Sequence, residues 1–144
     1  MPSIEERFSA ALHNSARVWR LAIDRRLKHL NLSQASWMAI ALTAKEAEPP
    51  SQTRLAARAG VEDPTMVATV DRLVKAGYMV RTPSATDRRV KLLSLTPAGQ
   101  DIYASVWKEA DALRRELLGN VDPDTLRTVT TFLEALQANI ESLP

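Results

Sequence analysis

Residues 51–99 decide the fold of this chain, and they read SQTRLAARAGVEDPTMVATVDRLVKAGYMVRTPSATDRRVKLLSLTPAG. In order, this stretch predicts a short helix, a glycine turn, a second helix, a strand, a basic turn, a strand and a helix cap. A helix–turn–helix followed at once by a basic hairpin is an arrangement that holds duplex DNA in two grooves. The order of these elements carries more information than the composition does.

Glycines and prolines mark the boundaries of the elements. All four glycines fall where an element is expected to end, at Gly60, Gly77, Gly99 and Gly119. The first two close helical patterns, as a left-handed position after a helix requires. Three helices are expected to start with a proline directly after a capping residue, at Asp63-Pro64, Thr96-Pro97 and Asp122-Pro123.

These boundaries divide the chain into six helices and one hairpin. The expected helices are approximately Ile4–Leu30, Ser33–Ala47, Gln52–Ala59, Pro64–Ala76, Pro97–Leu118 and Pro123–Leu143, and the expected strands are Tyr78–Thr82 and Val90–Leu95. The predicted fold class is mainly α with a small β-hairpin wing, a winged helix–turn–helix with N- and C-terminal dimerisation helices. We expect one structural unit made of a dimerisation helix (1–32), a DNA-binding lobe (33–97) and two further dimerisation helices (98–144).

Charge is concentrated on the predicted DNA-binding segment. Residues 51–97 hold 8 Lys and Arg against 4 Asp and Glu, whereas residues 98–144 hold 4 against 8. Positive potential on one segment favours contact with phosphates, although a random fluctuation is the alternative reading. The chain has no cysteine and no apolar run near 18 residues. Disulfides, thiol chemistry and a membrane partner are therefore not expected, and a cytoplasmic location fits.

Both terminal helices carry long apolar stripes. The last helix repeats apolar residues three and four positions apart, at Leu126, Val129, Phe132, Leu133, Leu136, Ile140 and Leu143. The first helix has a similar stripe. Such stripes outside a compact middle favour burial against a second copy of the chain. A protein that binds a symmetric DNA site also needs two DNA-binding lobes, or heads, one from each copy. The alternative is that the two helices bury each other within one chain.

The second helix of the motif is predicted to have two faces. Its inward residues are expected to be Met66, Val67, Val70, Leu73 and Val74, and its outer residues Thr65, Ala68, Thr69, Arg72 and Lys75. The threonines fit contacts with base edges or a thymine methyl group. An arginine at the hairpin tip, Arg88 or Arg89, fits a narrow minor groove, with Asp87 pairing with a neighbouring arginine to aim it. The alternatives are a solvated helix face and a hairpin with scattered charge.

These residues resemble the MarR family of bacterial regulators. The wing signature is Asp87-Arg88-Arg89 followed by Leu95–Gly99, and residues 32–37 and 55–65 resemble the SlyA branch. The resemblance covers nearly the whole chain and implies a winged helix–turn–helix homodimer joined by the first, fifth and sixth helices. It implies that Arg89 enters the minor groove, that Asp87 orients it, and that Thr65 and Thr69 face bases. Relatives often read a base with an arginine where this chain has Ala68, which shifts that work to Arg72 or the wing.

The resemblance also implies a ligand site between the dimerisation helices and the DNA-binding lobe. The matching positions are Arg17, Arg20, Trp37, Met66 and Thr69. An arginine would hold the carboxylate of a small aromatic acid, and Trp37 would cover its ring. A histidine of some relatives is replaced here by Ala41. The alternative is that Trp37 belongs to the core and that the arginines are solvated or paired.

The sequence therefore predicts a sequence-specific regulator that binds double-stranded DNA as a homodimer on a pseudo-palindrome, with release by a small aromatic acid. No cofactor, metal or enzymatic activity is predicted. The two histidines, His13 and His29, are about 24 Å apart along one helix, too far for one metal or one proton relay. The alternatives are a winged-helix module that binds protein and an architectural DNA-binding protein without an effector, and the basic wing argues against the first.

Overall fold

The computed structural model describes all 144 residues. Its helices are α1 (Ile4–Arg26), α2 (Gln34–Lys45), α3 (Gln52–Ala59), α4 (Asp63–Lys75), α5 (Pro97–Leu118) and α6 (Pro123–Glu141). The strands β1 (Met79–Pro83) and β2 (Lys91–Leu95) form one antiparallel hairpin, with Met79 opposite Leu95 and Pro83 opposite Lys91. The six helices and the hairpin occur in the predicted order, so the predicted winged helix–turn–helix is confirmed.

The chain divides into two compact units. The first unit, Met1–Asp111, contains α1 to α4, the hairpin and the first part of α5. The second unit, Ala112–Pro144, contains the end of α5 and the whole of α6. None of these helices is long and apolar enough to cross a membrane.

Helix boundaries follow the capping residues. Ser3 and Glu6 form a capping box at the start of α1, in which each side chain accepts a hydrogen bond from the other residue's backbone N–H. The helix ends earlier than the apolar pattern predicted, because the chain tightens into a 3-10 turn at Lys28–Leu30 and turns at Asn31, whose φ is 55°. Helix α4 begins at Asp63, so Asp63 is its first residue and not its cap.

The core of the first unit joins the helix–turn–helix to the hairpin. Its buried residues come from α2, α3, α4 and both strands: Ala39, Ile40, Leu55, Ala56, Met66, Val70, Leu73, Met79 and Leu93. Burying one side chain of the size of Leu73 stabilises the fold by about 1.5–3 kcal/mol. The hairpin also pairs with the residues before α3, since the N–H of Leu93 donates to the carbonyl of Pro50 at 2.8 Å. The wing is thus fixed to the helices that it accompanies.

The first turn of α5 is fixed against the residues between α4 and β1. The hydroxyl of Thr96 donates to the carbonyl of Gly77 at 2.6 Å and accepts from the N–H of Gly99 at 3.1 Å. A methyl group at Gly99 would overlap the carbonyl oxygen of Tyr78 and lie 3.3 Å from Cβ of Leu95. The prediction that Gly99 ends an element is therefore wrong. It lies inside the first turn of α5, where only glycine permits this close approach.

Candidate nucleic-acid interface

Helix α4 exposes one continuous stripe of side chains. This α4 outer stripe consists of Pro64, Val67, Ala68, Asp71, Arg72 and Lys75. The spacing of i, i+3, i+4, i+7, i+8 and i+11 places these residues on one side of the helix. Thr65 is exposed beside it. Small side chains at the N-terminal end and cations at the C-terminal end suit a helix that approaches a groove of DNA with its first turns.

Two residues of α4 lie on the opposite face from the one predicted. Thr69 is 0% exposed, although it was expected to face bases, and Val67 is 39% exposed, although it was expected to point inward. The buried set is Met66, Thr69, Val70 and Leu73, which follows a helical spacing of i, i+3, i+4 and i+7. Burial of Thr69 is tolerated because its hydroxyl donates to the carbonyl of Thr65 at 2.9 Å. Its hydroxyl also accepts from Nη2 of Arg72 at 3.4 Å, so Thr69 acts on the outer stripe only through Arg72.

The wing tip holds an exposed arginine in a defined orientation. Residues 84–90 connect the strands, and the N–H of Ser84 donates to the carbonyl of Val90 at 2.8 Å. Arg89 donates to the carboxylate of Asp87 through its backbone N–H at 3.1 Å, through Nε at 3.2 Å and through Nη2 at 3.4 Å. The side chain of Arg89 is nevertheless 92% exposed. Its guanidinium is therefore oriented while it remains open to a partner.

This pairing fixes the charge of the wing. The side-chain hydrogen bonds from Arg89, followed by its backbone N–H, hold the pKa of Asp87 below its ordinary value. Asp87 therefore stays ionised, and paired with Arg89, down to a lower pH than an ordinary aspartate does. Arg88 is exposed beside this pair and is a second arginine at the tip.

Arg81 is a residue that the sequence analysis missed. It lies on β1 opposite Leu93, and its guanidinium connects three elements. Nε donates to Oε1 of Gln52 on α3 at 2.8 Å, and Nη2 donates to Oδ1 of Asp71 on α4 at 2.5 Å and to the carbonyl of Val67 at 3.4 Å. Arg81 therefore ties the wing to both helices of the helix–turn–helix. The signal in the sequence was an arginine within a strand that packs on a core, since such a charge needs a partner.

Two further cations lie on α3. Arg54 donates to Glu46 from Nε at 3.2 Å, and Nη1 of Arg58 lies 3.8 Å from the same carboxylate. Both arginine side chains are half exposed, at 56% and 51%, whereas that of Glu46 is 14% exposed. The first helix of a helix–turn–helix commonly crosses the DNA backbone. Arg54 and Arg58 are positioned on that helix with part of their surface open to phosphates.

Three of the five predicted ligand residues are buried in this structure. Trp37 is only 6% exposed, and its Nε1–H donates to Oδ1 of Asp24 at 3.0 Å. Met66 and Thr69 are 1% and 0% exposed. Arg17 and Arg20 are exposed on α1. For Trp37 the structure thus favours the alternative of a core residue, because its one polar group already has a partner.

A cavity does open next to α4, but it is formed by other residues. Its volume is about 340 Å³, and it is lined by Asn31, Leu32, Ser33, Ser36, Arg72, Leu73 and Ala76. None of the five predicted ligand residues contributes to this lining. Arg72 therefore belongs to the outer stripe of α4 and also lines a cavity at the start of α2.

The fold and the basic surface define a winged helix–turn–helix protein. The model of the MarR family matches residues 30–91. The crystal structure of the transcriptional regulator PA3341 superposes with a TM-score of 0.88 at 34% identity, over 94% of this chain and 99% of that chain. The match of the family model, together with a transcriptional regulator of that identity over nearly the whole of both chains, shows that this chain belongs to the MarR family of transcriptional regulators.

Two more distant structures share the fold. A MarR-family regulator from Silicibacter pomeroyi superposes with a TM-score of 0.85 at 21% identity, over 98% of this chain and 94% of that chain. NadR in complex with 4-hydroxyphenylacetate superposes with a TM-score of 0.81 at 23% identity, over 100% of this chain and 96% of that chain. At these identities the likeness concerns the fold alone.

Proposed function

We propose that this protein regulates transcription as a homodimer that binds a pseudo-palindromic duplex, with α4 in the major groove and the wing in the minor groove. The observation that carries this proposal is Arg89, which is oriented by Asp87 while 92% of its side chain stays exposed. Orienting a guanidinium before binding lowers the entropic cost of the contact. A module that binds protein has no evident need for an oriented arginine at an otherwise polar wing tip.

The α4 outer stripe and its neighbours divide the proposed work between bases and phosphates. Thr65 and Arg72 would face base edges, because Ala68 between them is small enough to let the helix approach the groove floor. Lys75 and Arg88 would contact phosphates and fix the register of the protein on the duplex. Thr69, which is buried, would act only by orienting Arg72.

The proposed dimer uses apolar residues that the single chain leaves exposed. On α1 these are Ile4, Phe8, Leu12, Val18 and Leu21, and on α6 they are Val129, Phe132 and Ile140. A second copy that covers such residues gains about 25 cal/mol for each Å² of apolar surface removed from water. Two reading heads about one helical turn apart would then bind half-sites roughly 10 bp apart.

We further infer that a small aromatic carboxylate regulates DNA binding, and the complex of NadR with 4-hydroxyphenylacetate supports this inference. Arg17 and Arg20 are exposed and available to hold a carboxylate. Because Trp37 and Met66 are buried, a ligand that reaches them has to open their packing. Such a ligand binds the state with opened packing more tightly than the state that binds DNA, so it weakens DNA binding. By linkage, DNA lowers the affinity for the ligand by the same factor, typically about 5–150-fold. Membership of the SlyA branch stays a prediction.

The experiment that tests the proposed function is fluorescence anisotropy on two labelled duplexes, the DNA upstream of the protein's own gene and a scrambled duplex of equal composition. We expect the upstream DNA to bind at least about 1,000-fold more tightly than the scrambled duplex. Equal affinity for both duplexes would favour an architectural protein, and no binding to either at low salt would favour a protein-interaction module.

The effector is tested by titrating 4-hydroxyphenylacetate and salicylate into the protein–DNA complex while tryptophan fluorescence is followed. We expect DNA release and a fluorescence change at similar concentrations, both weakened in a variant with Arg17→Ala and Arg20→Ala. An exposed arginine on α6, Arg127, supplies the matched control as Arg127→Ala. A fluorescence change without DNA release would show that the acid binds without regulating the protein.

A further inference from the structure

A carboxylate occupies the middle of the surface that is proposed to meet DNA. Asp71 lies in the α4 outer stripe between Ala68 and Arg72, and its side chain is 59% exposed. DNA presents one negative charge for each 1.7 Å of its axis, so an aspartate in this place opposes binding wherever phosphates approach it. An exposed aspartate that lowers affinity for any phosphate backbone calls for a physical explanation.

Stability gives a weak explanation for Asp71. Arg81, its partner, already donates to Gln52 at 2.8 Å and to the carbonyl of Val67, so its guanidinium keeps two acceptors without the aspartate. The side chain of Asp71 is 59% exposed, so solvent screens its side of the pair and lowers what the pair contributes to folding. The pair does have a clear geometric effect, since Arg81 comes from β1 and holds the carboxylate of Asp71 at 2.5 Å in one position on the stripe.

We propose that Asp71 is a specificity-determining residue whose carboxylate, held by Arg81, rejects non-cognate DNA. This inference rests on the proposed function and deepens it. In a loose, non-specific complex the stripe meets phosphates, which Asp71 repels, and the pair keeps Arg81 from contacting a phosphate instead. In the major groove the same carboxylate lies against base edges, where it can accept a hydrogen bond from the amino group of cytosine. A repulsive group that penalises the wrong partner more than the right one raises specificity at the expense of affinity.

The test is Asp71→Asn, which keeps the shape of the side chain and removes its charge. Affinities for the operator and for a scrambled duplex are measured by anisotropy from about 50 to about 200 mM salt. The carboxamide no longer offsets the charge of Arg81, so each head presents about one more net positive charge to phosphates, which steepens the non-specific log–log salt slope by about 0.9 per head. The affinity of the variant for scrambled DNA, divided by that of the wild type, should therefore fall by about 3.5-fold per head from about 50 to about 200 mM salt. The ratio of specific to non-specific affinity should fall by about tenfold.

The matched control is Asp124→Asn on α6. Asp124 also pairs with an arginine, Arg127, at 2.7 Å, and its substitution changes the net charge by the same amount. We expect this variant to keep the specificity ratio and the salt slope of the wild type. Asp71→Ser, which also removes the charge, should reproduce the result of Asp71→Asn, and thermal unfolding checks that both variants are folded.

Three results would overturn the proposal. If Asp71→Asn lowers the affinity for both duplexes by the same factor, Asp71 has only a structural role. If both affinities are unchanged, Asp71 has no role in recognition. An equal rise in Asp124→Asn would trace the effect to net charge. A wild-type protein that binds neither duplex would be a distinct failure, because it refutes the proposed function before Asp71 is considered.

Discussion

Replacing Gly99 with alanine tests how the first turn of α5 is fixed to the wing. Helix propensity alone predicts that Gly99→Ala stabilises the protein, by roughly 0.5–1 kcal/mol. The structure predicts the opposite sign, because the new methyl group would overlap the carbonyl oxygen of Tyr78 and lie 3.1 Å from its carbonyl carbon. That carbonyl accepts a hydrogen bond from the N–H of Thr96 at 3.1 Å, so moving it away disturbs the junction of α5 with β1.

The expected loss combines two terms. Overpacking costs about 1–3 kcal/mol, and a weakened hydrogen bond adds about 0.5–1.5 kcal/mol. After the gain in propensity is subtracted, we expect a net loss of about 2 kcal/mol, which lowers Tm by roughly 4–8 °C in a domain of this size. Circular dichroism at one fixed protein concentration measures it. The control is Ala98→Gly at the neighbouring exposed position, which should lower stability by no more than about 1 kcal/mol. An unchanged or raised Tm in Gly99→Ala would refute the packing argument.

Two further predictions concern assembly and pH. Val129→Lys combined with Ile140→Lys places charges on residues that are 49% and 55% exposed, and light scattering should then report monomers that no longer bind a palindrome. The control, Thr131→Lys on the other side of α6, should leave the dimer intact. A double variant that is still a dimer would contradict the proposed interface. Because Arg89 lowers the pKa of Asp87, the contribution of this pair is present at neutral pH and is lost only as pH falls through that lowered pKa. The affinity ratio of wild type to Asp87→Asn should accordingly stay constant from about pH 8 to about pH 5, and a ratio that collapses within this range would show that the carboxylate is not held as described.

Local signals account for most of the fold. The predicted bounds of α3 match the structure, because Ser51 caps the helix and Gly60, with a φ of 70°, ends it. The bounds of α5 match as well, since Thr96-Pro97 marks its start. These signals lie within a few residues of the boundary that they set, and the sequence therefore contains them in readable form.

The errors arise where contacts between distant residues decide the outcome. A threonine suits an exposed face and a buried one equally well when its hydroxyl bonds to its own helix, as Thr69 does. Arg81 finds Gln52 and Asp71 at separations of 29 and 10 residues, and no local pattern predicts such partners. The hydrogen bond from the indole N–H of Trp37 to Asp24 likewise joins two helices, α2 and α1, and no local pattern predicts it. The close approach that requires glycine at position 99 depends on the docking of α5 against Tyr78.

The most direct test of the central claim is the salt dependence of operator binding by the wild type, Arg89→Ala and Arg127→Ala. If about eight phosphates are neutralised, the log–log slope of the wild type should be near −7. Arg89→Ala should weaken binding by about 1–3 kcal/mol, or roughly 5–150-fold, because it removes the oriented guanidinium from the minor groove. Arg127→Ala, which removes an equally charged and 71% exposed side chain from α6, should bind as the wild type does. A wild-type slope near zero, or an Arg89→Ala protein with unchanged affinity, would contradict the account.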